Sequence, residues 1–313
     1  MENYVHTLQK KKWGIFNHYL APMFLNPDSD RNGSLGIPSS WDECVKRFDA
    51  ERLAFSLHKM GAGYYFITLM QCREYMLAPN ETFDKIAGTK PGEACATRDL
   101  PLDLYNALSK YGIDLCLYFT GDGPSHAPFA KNFGFARGDK AVNEEFVKKW
   151  SSVLEEYAVR YGDKVKAWWF DGMYKRAIGY TNELQKYYHD AVHKGNPLAA
   201  TAYNEGFDSR FNKNYENEEF CAGEINYFGP TPNKAEREAT VPHILTPLGY
   251  VKGEEWQWWS QRGVRYTEDF AVDYINTVYN LGGFTTIDIF VNSDGSFDPE
   301  QEAFLCSVGK LLK

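Results

Sequence analysis

The residues of this chain that could do chemistry are carboxylates standing where apolar runs give way to turns. Lys166-Ala167-Trp168-Trp169-Phe170-Asp171-Gly172 is an aromatic-rich run ending in Asp171, and the glycine after it permits a sharp turn and close approach of a ligand. Glu205 follows Thr201-Ala202-Tyr203-Asn204, and Glu224 lies in Cys221-Ala222-Gly223-Glu224-Ile225-Asn226-Tyr227. A carboxylate buried at such a place costs free energy unless it is paired or used. Two of them across a cleft are what glycoside hydrolysis needs: one attacks or stabilises the anomeric carbon, the other protonates the leaving oxygen. The competing structural readings are a helix or turn cap for Asp171 and salt bridges to Lys or Arg for Glu205 and Glu224.

Other chemistries fit less well. Asp28-Ser29-Asp30-Arg31-Asn32-Gly33 has the opening of a calcium loop, but Ser39 stands at the twelfth position, where a bidentate Glu is required. It reads as a polar loop. His189 and His193 have helical i, i+4 spacing, yet no HExxH is present, so they read as a solvated helix face with no metal. No phosphate loop, GxSxG elbow or Cys-His signature occurs. Six dispersed cysteines without a CxxC pair read as mostly free thiols. Lys+Arg 34 against Asp+Glu 42 gives a net charge of −8, which argues against nucleic-acid binding. Aromatics are 16% of the chain, enough for a large core and for apolar platforms in a sugar cleft. Two sequons, at Asn32 and Asn80, decide nothing by themselves.

The elements that must position these groups alternate along the chain. Candidate strands are Trp13–His18, Tyr64–Leu69, Asp114–Phe119, Ala167–Phe170, Ala199–Tyr203, Phe220–Asn226, one within His243–Trp258, and Phe284–Val291. Candidate helices are Asp49–Lys59, Leu102–Tyr111, Val142–Tyr161, Asn182–His193, Glu268–Leu281 and Glu300–Leu312. Near-continuous apolar strands followed by helices predict an α/β fold, a (β/α)8 TIM-type barrel in a single domain over residues 1–313. The long connections 19–46 and 227–266 belong on its catalytic face.

The chain resembles the catalytic barrel of the α-L-fucosidases, glycoside hydrolase family 29. Five stretches in order carry the resemblance: Trp13-Gly14-Ile15-Phe16-Asn17-His18; Phe48-Asp49-Ala50-Glu51 with Gly61-Ala62-Gly63-Tyr64-Tyr65; Arg98-Asp99-Leu100 with Gly112 to Tyr118; Trp169-Phe170-Asp171-Gly172; and Gly282-Gly283 to Ile289 with Asp294-Gly295. The resemblance implies a retaining exo-α-glycosidase in which Asp171 is the nucleophile. It implies an acid/base carboxylate in a variable loop, for which Glu238 in Arg237-Glu238-Ala239-Thr240 is the candidate, with Glu224 and Glu254/Glu255 behind it. It implies that His18, Tyr118 and Trp169 line the sugar pocket.

The departures imply a change of substrate. Where the family has a His-His-Asp-Gly that bonds the fucose hydroxyls, this chain has Gln71-Cys72-Arg73-Glu74. A site that exchanges its hydroxyl partners exchanges its sugar. Gln71 and Arg73 thus become candidate substrate contacts, with a rim salt bridge from Arg73 to Glu74 or Asp122 as the alternative. The family's C-terminal β-sandwich is not in this sequence. The expected function is an α-L-fucosidase-like glycosidase of altered sugar specificity, needing no cofactor and acting on an oligosaccharide or glycoside. The rival readings are a glycan-binding barrel without catalysis and a metal-dependent barrel hydrolase. Neither a membrane span nor a signal peptide is evident, which predicts a cytoplasmic location, or a periplasmic or secreted one if a leader has been removed.

Overall fold

The computed structural model describes residues 3–73, 75–136, 141–206, 210–251 and 258–313. Seven parallel strands are found among them: β1 (Trp13–Asn17), β2 (Tyr64–Thr68), β3 (Asp114–Thr120), β4 (Val165–Asp171), β5 (Ala200–Tyr203), β6 (His243–Pro247) and β7 (Phe284–Asp288). Their order is β5-β4-β3-β2-β1-β7-β6, so the first strand pairs with both the second and the last and the sheet curls round on itself. This is the α/β class with a barrel-like sheet. It differs from the expected eight-stranded closed barrel at one place.

That place is the segment 219–226, expected as the sixth strand. It crosses the gap between β5 and β6 through isolated contacts instead of a regular ladder. The Glu219 N–H donates to the Thr201 carbonyl (3.0 Å), and Phe220 and Glu224 form single parallel bridges with Val241 and Leu245. Gly223 is the reason. It sits at φ 65°, outside the extended region, and a Cβ there would lie 1.9 Å from the His243 carbonyl oxygen. A glycine inside an apolar run marks a bulge, and a bulge re-aims the side chain beside it, here Glu224.

Side chains alternate along the strands, as the pleat demands. One set fills the barrel interior: Phe16, Phe66, Tyr118, Trp169, Ala202 and Ala222, with Val5 and Leu8 of helix Val5–Lys11 packed among them. The opposite set, including Ile15, Ile67, Leu117, Trp168 and Phe170, packs beneath the surrounding helices. Apolar faces on both sides explain the near-continuous runs read from the sequence.

The helices follow the sequence signals closely, because caps are local. Asp49 caps Ala50–Met60 by accepting from the Arg52 N–H (3.0 Å), and Gly61 closes it in the left-handed region. Asn143 and Thr181 likewise cap Glu144–Tyr161 and Asn182–Gly195. The polar loop at residues 28–33 runs into a 3₁₀ helix, Asp30–Leu35. Asn32 and Asn80, the sequon asparagines, are both buried and bond backbone carbonyls of Phe24 and Val153. All six cysteines are free thiols. No helix among the described residues is long and apolar enough to cross a membrane.

Candidate active site

At the carboxyl ends of the strands the sheet opens into a pocket of about 280 Å³. Asp171, the last residue of β4, lies in its wall, where four donors meet its carboxylate. Tyr118 Oη and Gln71 Nε2 donate to Oδ2 (2.7 and 3.3 Å), while Asn204 Nδ2 and Tyr174 Oη donate to Oδ1 (2.9 and 3.5 Å). Burial and then the charge on Asp171 push Tyr118 up, and the same two causes in reverse order push Tyr174 up, so both hydroxyls remain donors at neutral pH.

Glu224 faces Asp171 across the pocket. The buried Asn204, just beyond the end of β5, donates from the same Nδ2 to Asp171 Oδ1 and to Glu224 Oε2. Two oxygens on one amide nitrogen lie no further apart than two hydrogen bonds, within the roughly 5–5.5 Å that separates the carboxyl groups of retaining glycosidases. Burial and then the charge on Asp171 raise the Glu224 pKa from its ordinary 4.5 to about 7, with Asn204 and His18 pulling against them. A carboxyl group so shifted carries a proton near neutral pH and can give it away.

Aromatic groups form the rest of the wall. Trp169 stacks on Tyr118 (5.4 Å, 21°) and is held by its indole N–H on the Ala222 carbonyl (2.9 Å), in the segment that carries Glu224. His18, after β1, lines the pocket with its ring edge-on to Phe16, Tyr118 and Trp259. Its Nδ1 bonds buried Asp288 at 2.9 Å. Asp288 also accepts the Ser260 N–H (2.5 Å), and the buried Arg31 guanidinium bonds Ser260 and the Val291 carbonyl. Burial lowers Arg31 to about 10, and the charge on Asp288 opposes that fall. Through this chain the loop bearing Trp258 and Trp259 is fastened to β7.

The structure thus brings Asp171, Glu224, His18, Gln71, Tyr118 and Trp169 together and leaves three expected residues outside. Glu238 is not at the pocket. It lies on the short helix Lys234–Ala239 with its side chain 66% exposed and paired with Lys234, beside Val241 and Pro242 at the amino ends of the strands. By residue 234 the chain has already crossed to the far end of the barrel to enter β6, so a loop position does not give the end at which a side chain emerges. Glu205 turns to Lys175 (3.3 Å), and Arg73 is exposed beyond the pocket lining. Asp122, offered as a partner of Arg73, is instead bonded by Thr120, Ser125 and Cys72. Glu74, Glu254 and Glu255 lie outside the described residues.

Sequence reasoning missed Asn204, which sits one residue before a singled-out glutamate, and Tyr174. It also missed Asp288, hidden in an apolar strand, and Trp258 and Trp259 with Leu20 and Met23 on the apolar side of the pocket. An asparagine directly after an alternating strand was the one signal available for the first.

The fold has solved counterparts. An α-L-fucosidase of glycoside hydrolase family 29 from Bacteroides thetaiotaomicron superposes with a TM-score of 0.67 at 20% identity, over 100% of this chain and 74% of that one. An endo-fucoidan hydrolase of glycoside hydrolase family 107 gives 0.68 at 15% identity, over 96% of this chain and 52% of that one. An α-L-fucosidase from Lactobacillus casei gives 0.63 at 14%, over 98% and 97%. At these identities the likeness speaks for the fold alone, and no curated protein is matched by the sequence. Residues 40–313, however, match the sequence profile described as alpha-L-fucosidase, a stretch that holds Asp171, Glu224 and Asn204. The chain belongs to the alpha-L-fucosidase family and is a glycoside hydrolase.

Proposed function

We propose that this glycoside hydrolase is a retaining, exo-acting α-glycosidase in which Asp171 is the nucleophile and Glu224 the acid/base. The observation that carries the reading is the Asn204 amide shared by two carboxylates of unlike environment. In the first step Asp171 attacks the anomeric carbon while Glu224 gives its proton to the departing oxygen, leaving a glycosyl ester on Asp171. In the second, Glu224, now ionised, takes a proton from water, which displaces Asp171 and releases the sugar with its original configuration. Tyr118 and Asn204 hold Asp171 in line for attack.

The pocket size supports removal of a single terminal residue, since 280 Å³ is at the small end of the roughly 300–1,000 Å³ of ligand sites. Its composition supports a sugar with an apolar edge. Leu20, Met23 and Leu245 offer no hydrogen bonds, the Trp169 indole N–H is already spent on the Ala222 carbonyl, and Gln71, in place of the histidine pair, is turned to Asp171. We therefore read the substrate as an α-fucoside-like sugar, deoxygenated or substituted on the side facing Leu20 and Met23.

The test is a panel of aryl α-glycosides with wild type and Asp171→Asn. The expected result is turnover of at least one deoxy or substituted glycoside by wild type with retained configuration, and a loss of about 10³-fold or more in the variant, of the order seen when a nucleophile is removed. Turnover that survives the substitution, or an inverted product, refutes the assignment.

A further inference from the structure

We propose that His189, His193 and Glu219 form a binding site for one divalent transition-metal ion of the zinc class, on the outside of the barrel and apart from the sugar pocket. Spacing alone gave the two histidines a solvated helix face. The fold sets a carboxylate opposite them.

Residues four apart share one face of helix Asn182–Gly195, and the two imidazoles stack at 4.0 Å and 27°. Glu219, at the start of the irregular segment, brings Oε1 to 3.7 Å from His189 Nε2 and 3.6 Å from His193 Nε2. The three donor atoms all lie within 4.8 Å of one another. Two ligands each about 2.0–2.1 Å from a tetrahedral zinc ion stand roughly 3.4 Å apart, so both nitrogen–oxygen separations are within a few tenths of an ångström of coordination.

The surroundings already orient these donors. His193 Nδ1 donates to the His189 carbonyl (2.8 Å), which leaves the Nε2 lone pair for an ion. Glu219 Oε2 is taken by the Thr201 N–H and hydroxyl (2.8 and 2.5 Å), which leaves Oε1 to coordinate. His189 Nδ1 faces the Asp190 carboxylate at 3.5 Å, an outer contact of the kind that raises the basicity of a ligating imidazole. The three side chains are 18–23% exposed, so an ion can enter from solvent and keep water in its open position. Two imidazoles and one carboxylate suit zinc, nickel or copper over magnesium or calcium, which prefer oxygen throughout.

The site is structural. The ion would join the helix to Glu219, five residues ahead of Glu224 in the segment that crosses from β5 to β6, and, through Thr201, to β5 itself. Because a ligand of the folded state alone stabilises it, the ion would also raise the melting temperature.

The experiment uses the full chain, freed of any histidine tag and stripped by chelator, titrated with zinc chloride by calorimetry and with cobalt(II) by visible absorption. The expected result is one saturable equivalent, ligand-field bands from bound cobalt, and a melting temperature that rises with zinc. His189→Gln and His193→Gln should each weaken zinc binding at least tenfold with an unchanged far-ultraviolet spectrum. Both lie on a helix surface, so folding is retained, and Glu219→Gln serves as the third arm. No saturable equivalent in wild type overturns the proposal. So does an equivalent that keeps full affinity in both histidine variants.

Discussion

One amide nitrogen touches both carboxylates of the pocket and sets them face to face, while burial and the charge on Asp171 set them apart in acidity, against the pull of that contact. Glu224 is half-buried beside the charge on Asp171 and shifted to about 7, while Asp171 accepts from Tyr118, Gln71, Asn204 and Tyr174. In the proposed mechanism the first step needs protonated Glu224, so kcat/KM should fall as pH rises through about 7. Glu224→Gln cannot donate a proton and should lose about 10²–10⁴-fold on substrates with poor leaving groups, keeping much of its first-step rate on activated aryl glycosides. A pH–rate profile of both proteins checks this, and an alkaline limb unchanged in the variant would count against Glu224. Asp171 and Glu224 were legible because each interrupts an apolar run. Asn204 was not: an asparagine after a strand looks like a turn residue until the fold shows what lies on its other side. Glu238 was expected at the pocket and lies away from it for the same reason, since position along a loop does not say which end of a barrel the loop has reached.

At the scale of elements, helices and regular strands were legible because caps and alternation are local. The fourth strand begins two residues before the sequence reading, at Val165, and the last ends at Asp288 instead of Val291. The sixth expected strand failed in an instructive way. Its residues are apolar enough for a strand, but Gly223 breaks the ladder, and that break aims Glu224 at Asp171. Gly223→Ala would force a Cβ onto the His243 carbonyl at a positive φ. It should cost about 2–4 kcal/mol in urea unfolding, as strained or overpacked substitutions do, and lower activity by more than the unfolded fraction explains. Full activity in the folded variant would show that the bulge does not place Glu224. Neutral His243 supports the same segment. Burial lowers it to about 3, so its Nδ1 contacts the Ala222 carbonyl (3.0 Å) and its Nε2 contacts Thr286 (2.8 Å) without charge.

Across the whole molecule, buried Glu218 and half-buried Glu224 work against stability at alkaline pH. Burial raises Glu218 from 4.5 to about 8, and burial with the charge on Asp171 raises Glu224 from 4.5 to about 7. Between 4.5 and those values the folded chain holds protons that the unfolded chain has lost. Folding is therefore favoured below about 4.5 by these groups and penalised progressively as pH rises through 7 and 8. Unfolding free energy should thus fall between pH 5 and 8.5, and Glu224→Gln should recover on the order of 2 kcal/mol at the higher pH and little at the lower. Denaturant titrations at the two pH values decide it, and a variant less stable than wild type at pH 8.5 would reverse the sign.

A sheet whose staves are all laddered but one has a seam, and here the seam bears Glu224. The regular strands exchange backbone bonds along their length, whereas 219–226 is held by scattered ones. Partial opening begins where backbone bonds are fewest. Warming should therefore part the barrel at this join first, taking Glu224 out of reach of Asp171 while most of the fold stands, so that heat silences the enzyme before it melts it.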